Sequence, residues 1–312
     1  MKRFLLRFLL FALLWALIIL GGLLIPRAWL KESLHFALDD KHAALERAAA
    51  QPRLILTGGS NVSFGVYSPL LQDALAIPTI NTAVHAGYGL RYILEDLSPR
   101  LQAGDIVVII PEYSHFFGQT FWCEQDLIRG LDAHPDGLRH LNAKQWLVVL
   151  GDLPAHALQK YRRLFNGLYE DTKTVDPYHR EAFNANGDVT IHWTLPAKST
   201  KVRPVSGTFN AAAIDYLQTY TTQLTSKGVK VFISYPCLNR ASFVRSSARI
   251  AQLEAALTAR ALPVLGDPER YALADSLYFD SHYHLTETGQ KLRTELLLAD
   301  LQQHLDNTER RE

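Results

Sequence analysis

The chain has 312 residues, with 32 Lys and Arg against 31 Asp and Glu, a formal net charge of +1. At 48% hydrophobic and 20% charged it is no disordered or collagen-like polymer, and so even a balance gives no global attraction to nucleic acid. Two cysteines exclude a disulfide-dense scaffold and a four-thiolate zinc site.

The first predicted element is apolar. Phe8 to Ile25 (FLLFALLWALIILGGLLI) runs eighteen residues without a charge, which meets the ~18-residue threshold for a membrane-spanning helix. Lys2, Arg3 and Arg7 precede it, and positive charge favours the cytoplasmic side. The expectation is a single-pass anchor in the cytoplasmic (inner) membrane over residues 1–26. Its N-terminus would lie inside and the rest of the chain would be periplasmic or extracellular. The rival is a cleaved signal peptide, whose apolar region usually runs ~7–15 residues and ends in small residues of A-x-A type. Ile25-Pro26-Arg27-Ala28-Trp29 lacks such a site. Outside the cytoplasm, Cys123 and Cys237 would sit where disulfides persist; one long-range bridge and two buried thiols both fit the sequence.

Residues 27–52 read as a helical stalk closed by Pro52. The domain proper is expected over residues 53–306. Apolar runs at 53–57 (RLILT), 77–80, 105–110 (DIVVII), 229–235 (VKVFISY) and 262–265 (LPVL) suit strands covered on both faces. Helical spacing falls between them. Leu90, Ile93, Leu94, Leu97 and Leu101 share one face. Ile214, Leu217, Tyr220 and Leu224 share another, with Gly228 as a stop. Ile250, Leu253 and Leu257 follow, and Leu292, Leu296 and Leu297 open the apolar face of a last helix. The tail DNTERRE is expected to fray. This alternation predicts an α/β three-layer sandwich around a central parallel sheet, behind one N-terminal transmembrane helix. Residues 111–205 break the spacing. They are rich in aromatics and histidine, with a helix near 143–170. They read as an insertion over the carboxyl edge of the sheet, where open α/β sheets bind ligands; a purely structural excursion is the alternative.

Two segments carry the chemistry. Thr57-Gly58-Gly59-Ser60-Asn61 follows the first strand. Its glycines permit a tight turn that leaves Ser60 at the strand's carboxyl end among free backbone N–H groups, a place for a nucleophile and part of an oxyanion hole. Alone, such a stretch is an ordinary Gly-rich turn. Asp280-Ser281-His282-Tyr283-His284-Leu285-Thr286 precedes the last helix, with Thr286 as its N-cap. A carboxylate near an imidazole holds one tautomer and stabilises the protonated form. Alone, this is a solvated loop. Together the two segments supply serine, acid and base in the order Ser60, Asp280, His284.

These segments resemble the SGNH (GDSL-like) hydrolase superfamily, and within it the membrane-anchored extracytoplasmic bacterial branch. Gly58-Gly59-Ser60-Asn61 resembles its first block, and Asn81 to Gly89 its second, which ends in an oxyanion-hole glycine. Asp280 to Gly289 resembles the last. The likeness covers roughly 53–110 and 229–300. It implies a flavodoxin-like sheet and a Ser60–His284–Asp280 triad, with Gly59, Asn61, the Ser60 amide and Gly87 or Gly89 around the oxyanion. Glu112 and Tyr113 follow the third strand and are expected to line the same cleft. Three departures stand out. Asp280 and His284 are four apart rather than three, which makes His282 an alternative base. Ile110-Pro111-Glu112-Tyr113-Ser114-His115 stands where the family carries Gly-x-Asn-Asp. Ser60 is followed by Asn61-Val62-Ser63-Phe64-Gly65, as in the anchored branch.

The function implied is a membrane-anchored serine esterase or O-acyltransferase on cell-envelope polysaccharide or another esterified envelope substrate. A membrane-bound acyl-exporting protein would be its partner. A non-catalytic SGNH-like scaffold in envelope polymer assembly is the alternative. No cofactor, metal or nucleic-acid partner is expected. His134, His140, His156, His179 and His192 are too scattered to read as a metal site, and Arg91, Arg240 and Arg245 read as solvated cations.

Overall fold

A computed structural model describes residues 1–26, 33–49, 52–167, 175–198 and 200–309. In chain order the elements are α1 (Lys2–Leu23), α2 (Ala37–Arg47), β1 (Leu54–Gly58), α3 (Ser60–Ser63), α4 (Ser68–Leu75), β2 (Thr79–Asn81), α5 (Leu90–Leu97) and β3 (Ile106–Ile110). The 111–205 segment carries α6 (Asp126–Ala133) and α7 (Ala143–Gly167). The chain ends with α8 (Ala211–Ser226), β4 (Lys230–Ser234), α9 (Arg240–Ala259), β5 (Val264–Leu265) and α10 (Glu287–Glu309).

The five strands form one parallel sheet in the order β2-β1-β3-β4-β5. Successive residues alternate between its faces, as the pleat requires. Ile55, Val107, Ile109, Val231 and Ile233 meet Leu90 and Leu94 of α5, Leu217 of α8 and Leu253 of α9. Leu54, Leu56, Ile106, Val108, Ile110 and Phe232 meet Leu71 of α4 and Leu297 and Leu301 of α10. The near-continuous Val/Ile/Leu runs are therefore buried on both sides, and the expected α/β sandwich is the fold. Chain direction across the sheet reverses between β1 and β3, so the crevice beyond their carboxyl ends is the natural ligand site.

The expected stops hold locally. Gly228 follows α8 at φ 78°, and the Gly289 amide donates to Thr286 Oγ1 at 3.3 Å at the start of α10. That last helix continues to Glu309, through most of the tail expected to fray. Of the expected stalk, residues 27–32 and 50–51 lie outside the described residues. The rest holds α2, which does not stand apart from the domain. Leu45 is fully buried, and Lys41 Nζ donates to Asn81 O at 2.8 Å. Cys123 and Cys237 are free, buried thiols in different parts of the core.

Among the described residues one helix, α1, is long and apolar enough to cross a membrane. Its last turns lean on α7: Tyr161 Oη donates to Ile18 O and Lys160 Nζ to Leu23 O, each at 3.0 Å. Alongside, α7 turns Leu147, Leu150, Leu158 and Phe165 outward.

The base of the site's two strands is locked by a buried ion pair. Arg53 Nε and Nη2 meet Asp105 Oδ1 and Oδ2 at 3.0 and 2.5 Å, while Nη1 donates to Leu45 O at 2.7 Å. The paired geometry satisfies both charges, and removing one partner strands the other in the interior. Arg53→Met is expected to lower unfolding stability by about 3–5 kcal/mol in urea titrations of the detergent-solubilised protein. Arg53→Met combined with Asp105→Leu should recover part of that loss; a single substitution within ~1 kcal/mol of wild type would contradict the assignment.

Candidate active site

Ser60 stands on the turn between β1 and the short α3. The turn is tight because Asn61 folds back over it. Asn61 Oδ1 accepts the Gly59 N–H at 3.1 Å, and Asn61 Nδ2 donates to Ile110 O at 3.1 Å, the last residue of β3. A Cβ on Gly59 would lie 2.6 Å from Ala86 Cβ and 2.8 Å from Glu112 Oε1, so only glycine fits there. Ser60 itself stays partly exposed.

The loop before α10 reaches this turn from the other end of the chain. The Leu285 N–H donates to Phe64 O at 3.1 Å, and Gln290 Nε2 donates to Val66 O at 2.6 Å. His284 is thereby laid against the Phe64 ring, centroids 4.1 Å apart and nearly parallel. Its Nε2 is 3.0 Å from Ser60 Oγ and its Nδ1 is 2.9 Å from Asp280 Oδ1. The one-residue longer Asp–His spacing is accommodated without breaking this line: the His284 and Tyr283 amides both donate to Ser281 Oγ, at 3.1 and 3.2 Å. Burial alone would raise the Asp280 carboxyl, but hydrogen bonds from His284 and Tyr178 outweigh it and hold it below the usual carboxylate range. His282 lies against Tyr283, rings 4.3 Å apart, and burial pushes its imidazole down to about 4. The place beside Ser60 is held by His284.

Glu112 follows β3 and closes the site opposite His284. Its Oε1 is 3.3 Å from Ser60 Oγ and 3.4 Å from the Asn61 amide nitrogen. His115 anchors it: Nδ1 accepts the Glu112 N–H at 3.0 Å and Nε2 faces Ala86 O at 3.1 Å, which assigns the Nε2–H tautomer.

No family model matches the chain, and no curated protein matches it. A crystal structure of the Bacillus subtilis protein YxiM is similar, at 14% identity and a TM-score of 0.39, over 81% of this chain and 57% of that one. The chain thus spans little more than half the length of that protein. So distant a likeness leaves the chemistry to the site's own geometry.

The other expected residues are placed differently. The Gly87 amide donates to His85 Nδ1 at 3.1 Å and the Gly89 amide to Ala86 O at 2.9 Å, so neither N–H is free for a substrate oxygen. Gly89 serves close packing: at φ 85°, a Cβ there would lie 2.2 Å from Trp122 O of the backbone. Asn61 Nδ2 is committed to Ile110 O. Tyr113 is fully buried in the core beneath the site. The Ser60 amide remains as a donor, because the first N–H groups of a helix have no intrahelical partner.

Tyr178 is the residue sequence reasoning missed. It comes from the insertion, where only a general aromatic and histidine content hinted at a role. Its hydroxyl donates to Asp280 Oδ2 at 2.6 Å and lies 3.2 Å from His284 Nδ1. The scattered histidines hold one further surprise. His42, Asp96 and His134 gather closely enough to suggest metal ligands. Arg100 already fills that role, with Nη1 3.5 Å from Asp96 Oδ1 and Nη2 3.4 Å from His134 Nε2, while His134 Nδ1 faces Asp39 Oδ1 at 2.8 Å. His42 Nε2 meets Asp96 Oδ2 at 2.8 Å, while Asp96 Oδ1 and His42 Nδ1 stay without a hydrogen-bond partner among the described residues.

Because its folded pKa is depressed, Asp280 contributes stability that is complete above the unfolded value of ~3.9 and lost as pH falls through the lower folded value. Tyr178→Phe removes a hydrogen bond that lowers this carboxyl. Carboxyl-carbon NMR titration is expected to show the Asp280 resonance titrating at higher pH in the variant, with stability lost earlier on acidification. An unchanged titration would remove Tyr178 from the site.

Proposed function

We propose that the chain is a membrane-anchored serine esterase or O-acyltransferase of the SGNH type. The supporting observation is the hydrogen-bonded line Ser60 Oγ–His284 Nε2 at 3.0 Å and His284 Nδ1–Asp280 Oδ1 at 2.9 Å. In this reading His284 takes the Ser60 proton as Oγ adds to an ester carbonyl, and Asp280 stabilises the imidazolium. The Ser60 amide faces the developing oxyanion. Collapse of the tetrahedral intermediate breaks the bond to the leaving alcohol, which takes the proton from His284. The acyl group then rests on Ser60. Water as acceptor makes the protein an esterase, and a sugar hydroxyl makes it a transferase.

The transferase on cell-envelope polysaccharide, outside the cytoplasm, is the reading we favour. The apolar α1 and the outward Leu147, Leu150, Leu158 and Phe165 of α7 beside it would set the domain against a membrane. There an acyl-exporting membrane protein would supply the donor. One observation favours the second reading, a non-catalytic scaffold: Glu112, if ionised, puts a negative charge 3.3 Å from Ser60 Oγ.

Turnover of a small acetyl ester by the full chain in detergent separates these readings. Ser60→Ala and His284→Ala are each expected to lower kcat by roughly 10³-fold or more. Added envelope oligosaccharide should divert acyl groups from water to sugar. Turnover that survives both substitutions contradicts the enzyme, and hydrolysis that ignores the acceptor reduces it to an anchored esterase.

A further inference from the structure

The chemistry so far leaves Glu112 without a role. The residue is 7% exposed, yet Oε1 lies within hydrogen-bond reach of both Ser60 Oγ and the Asn61 N–H. The groups that face it come from every element packed around it. The turn after β1 gives Ser60 and Asn61, and its own turn gives the Ser114 hydroxyl and His115. Before α6 stands the Glu124 carboxyl, and before α10 stand Tyr283 and, through Ser60, His284. Burial pushes His115 down to about 4, leaving it neutral, and keeps the Tyr283 phenol protonated. None of these neighbours is a Lys or Arg.

The hydrogens around Ser60 admit three arrangements. Ser60 has one hydroxyl hydrogen, and His284 Nε2 and Glu112 Oε1 both lie within its reach. With Glu112 ionised and His284 neutral, the Ser60 hydrogen serves either His284 or the carboxylate and leaves the other contact without a hydrogen. With Glu112 ionised and His284 protonated, the imidazolium donates to Ser60, Ser60 donates to the carboxylate, and the serine has no base. With the proton on Glu112, the carboxyl donates to Ser60 Oγ and the Ser60 hydrogen turns to His284. The Asn61 N–H still donates to the carboxyl. Only the arrangement with the proton on Glu112 puts a hydrogen in both Ser60 contacts and leaves His284 able to accept a proton.

We propose that Glu112 acts as a carboxylic acid, donating its hydrogen to the oxygen of the substrate carbonyl as Ser60 adds to the carbon. This rests on the serine-ester reading of the site. In the step, the bond from Oγ to the carbonyl carbon forms and the carbonyl π pair moves to oxygen. The Ser60 proton goes to His284 Nε2, and the Glu112 proton stays on Glu112 as a hydrogen-bond donor. When the intermediate collapses, the leaving alkoxide takes the proton from His284, and Glu112 ends as it began. An ionised Glu112 would instead repel the oxyanion. Burial pushes the carboxyl up to about 7 against the hydrogen bonds from Asn61, Ser60 and Ser114, so the acid form is available near neutrality and is lost above it.

The test is the pH dependence of kcat/KM for a small acetyl ester, for wild type and Glu112→Gln, with fluorophosphonate labelling of Ser60 alongside. Wild type is expected to lose activity on the alkaline side with an apparent pKa near 7. In Glu112→Gln the amide donates at every pH, so that limb disappears. The ratio of variant to wild-type kcat/KM should rise roughly 30-fold from ~pH 6 to ~pH 8.5. An alkaline limb that persists in Glu112→Gln overturns the proposal. So does a folded Glu112→Gln inactive at all pH, since the carboxylate would then be needed as a base. Should the variant not fold, the infrared carbonyl band of a buried protonated carboxyl in wild type reads the same point. It is expected to vanish in step with activity, and its absence at ~pH 6 overturns the proposal. Wild type that is labelled and turns over without a Glu112-dependent limb overturns this proposal alone. Wild type that does neither overturns the serine-ester reading and this proposal with it.

Discussion

Everything at this site depends on tying together two segments that are 224 residues apart in the chain. The tie is a short run of backbone acceptors. Phe64 O takes the Leu285 N–H and Val66 O takes Gln290 Nε2, while Phe64's ring carries His284 on its face. The sheet makes this meeting possible. β1 is interior, and α10 covers the same face of it as α3 and α4, through Leu297 and Leu301 against Leu54 and Leu56. The start of α10 is thereby brought to the carboxyl end of β1. Apolar burial sets the approach to within a helix's width, and the hydrogen bonds set the last ångström.

The insertion completes the tie. His192 Nε2 bonds Leu285 O at 2.8 Å, and Trp193 Nε1 donates to Gln290 Oε1 at 2.7 Å. Asp188, fully buried, accepts from Ser68 and Asn81, and Lys41 Nζ donates to the neighbouring Gly187 O at 2.6 Å. These contacts bind α2, α4, the end of β2 and the loop around His284 into one unit. Tyr178 then reaches Asp280 from that buttressed segment. The result is a site whose two carboxyls are pushed in opposite directions. Asp280 is held low by hydrogen bonds from His284 and Tyr178, whereas Glu112 is raised by burial. Pairs of acids driven apart by their surroundings are how one site carries both an ionised partner and a neutral donor.

The fold was legible wherever apolar spacing is dictated by burial on both faces. DIVVII is such a run: Ile106, Val108 and Ile110 serve one face and Val107 and Ile109 the other, so no polar position interrupts it. The two segments that bring Ser60, Asp280 and His284 together were legible because glycines mark the first turn and a helix cap marks the second. Gly87 and Gly89 show what the sequence leaves open. A glycine required for close packing against backbone, as Gly89 is against Trp122, looks the same in sequence as one required to free an N–H. Tyr178 was invisible because its partner is chosen by the insertion's path, which has no periodicity to read. The stalk was misjudged because α2 carries Lys41 and His42 on its buried side, where Lys41 meets backbone carbonyls and His42 meets Asp96 at 2.8 Å.

The central claim is that an acyl group passes through Ser60. The most direct measurement is to mix the full chain with an activated acyl ester, quench in acid within a turnover, and map the adduct by peptide mass spectrometry. The account predicts one acyl group on the peptide carrying Ser60, gone when hydroxylamine is added. No adduct under conditions where ester is consumed, or an adduct confined to another residue, would contradict it.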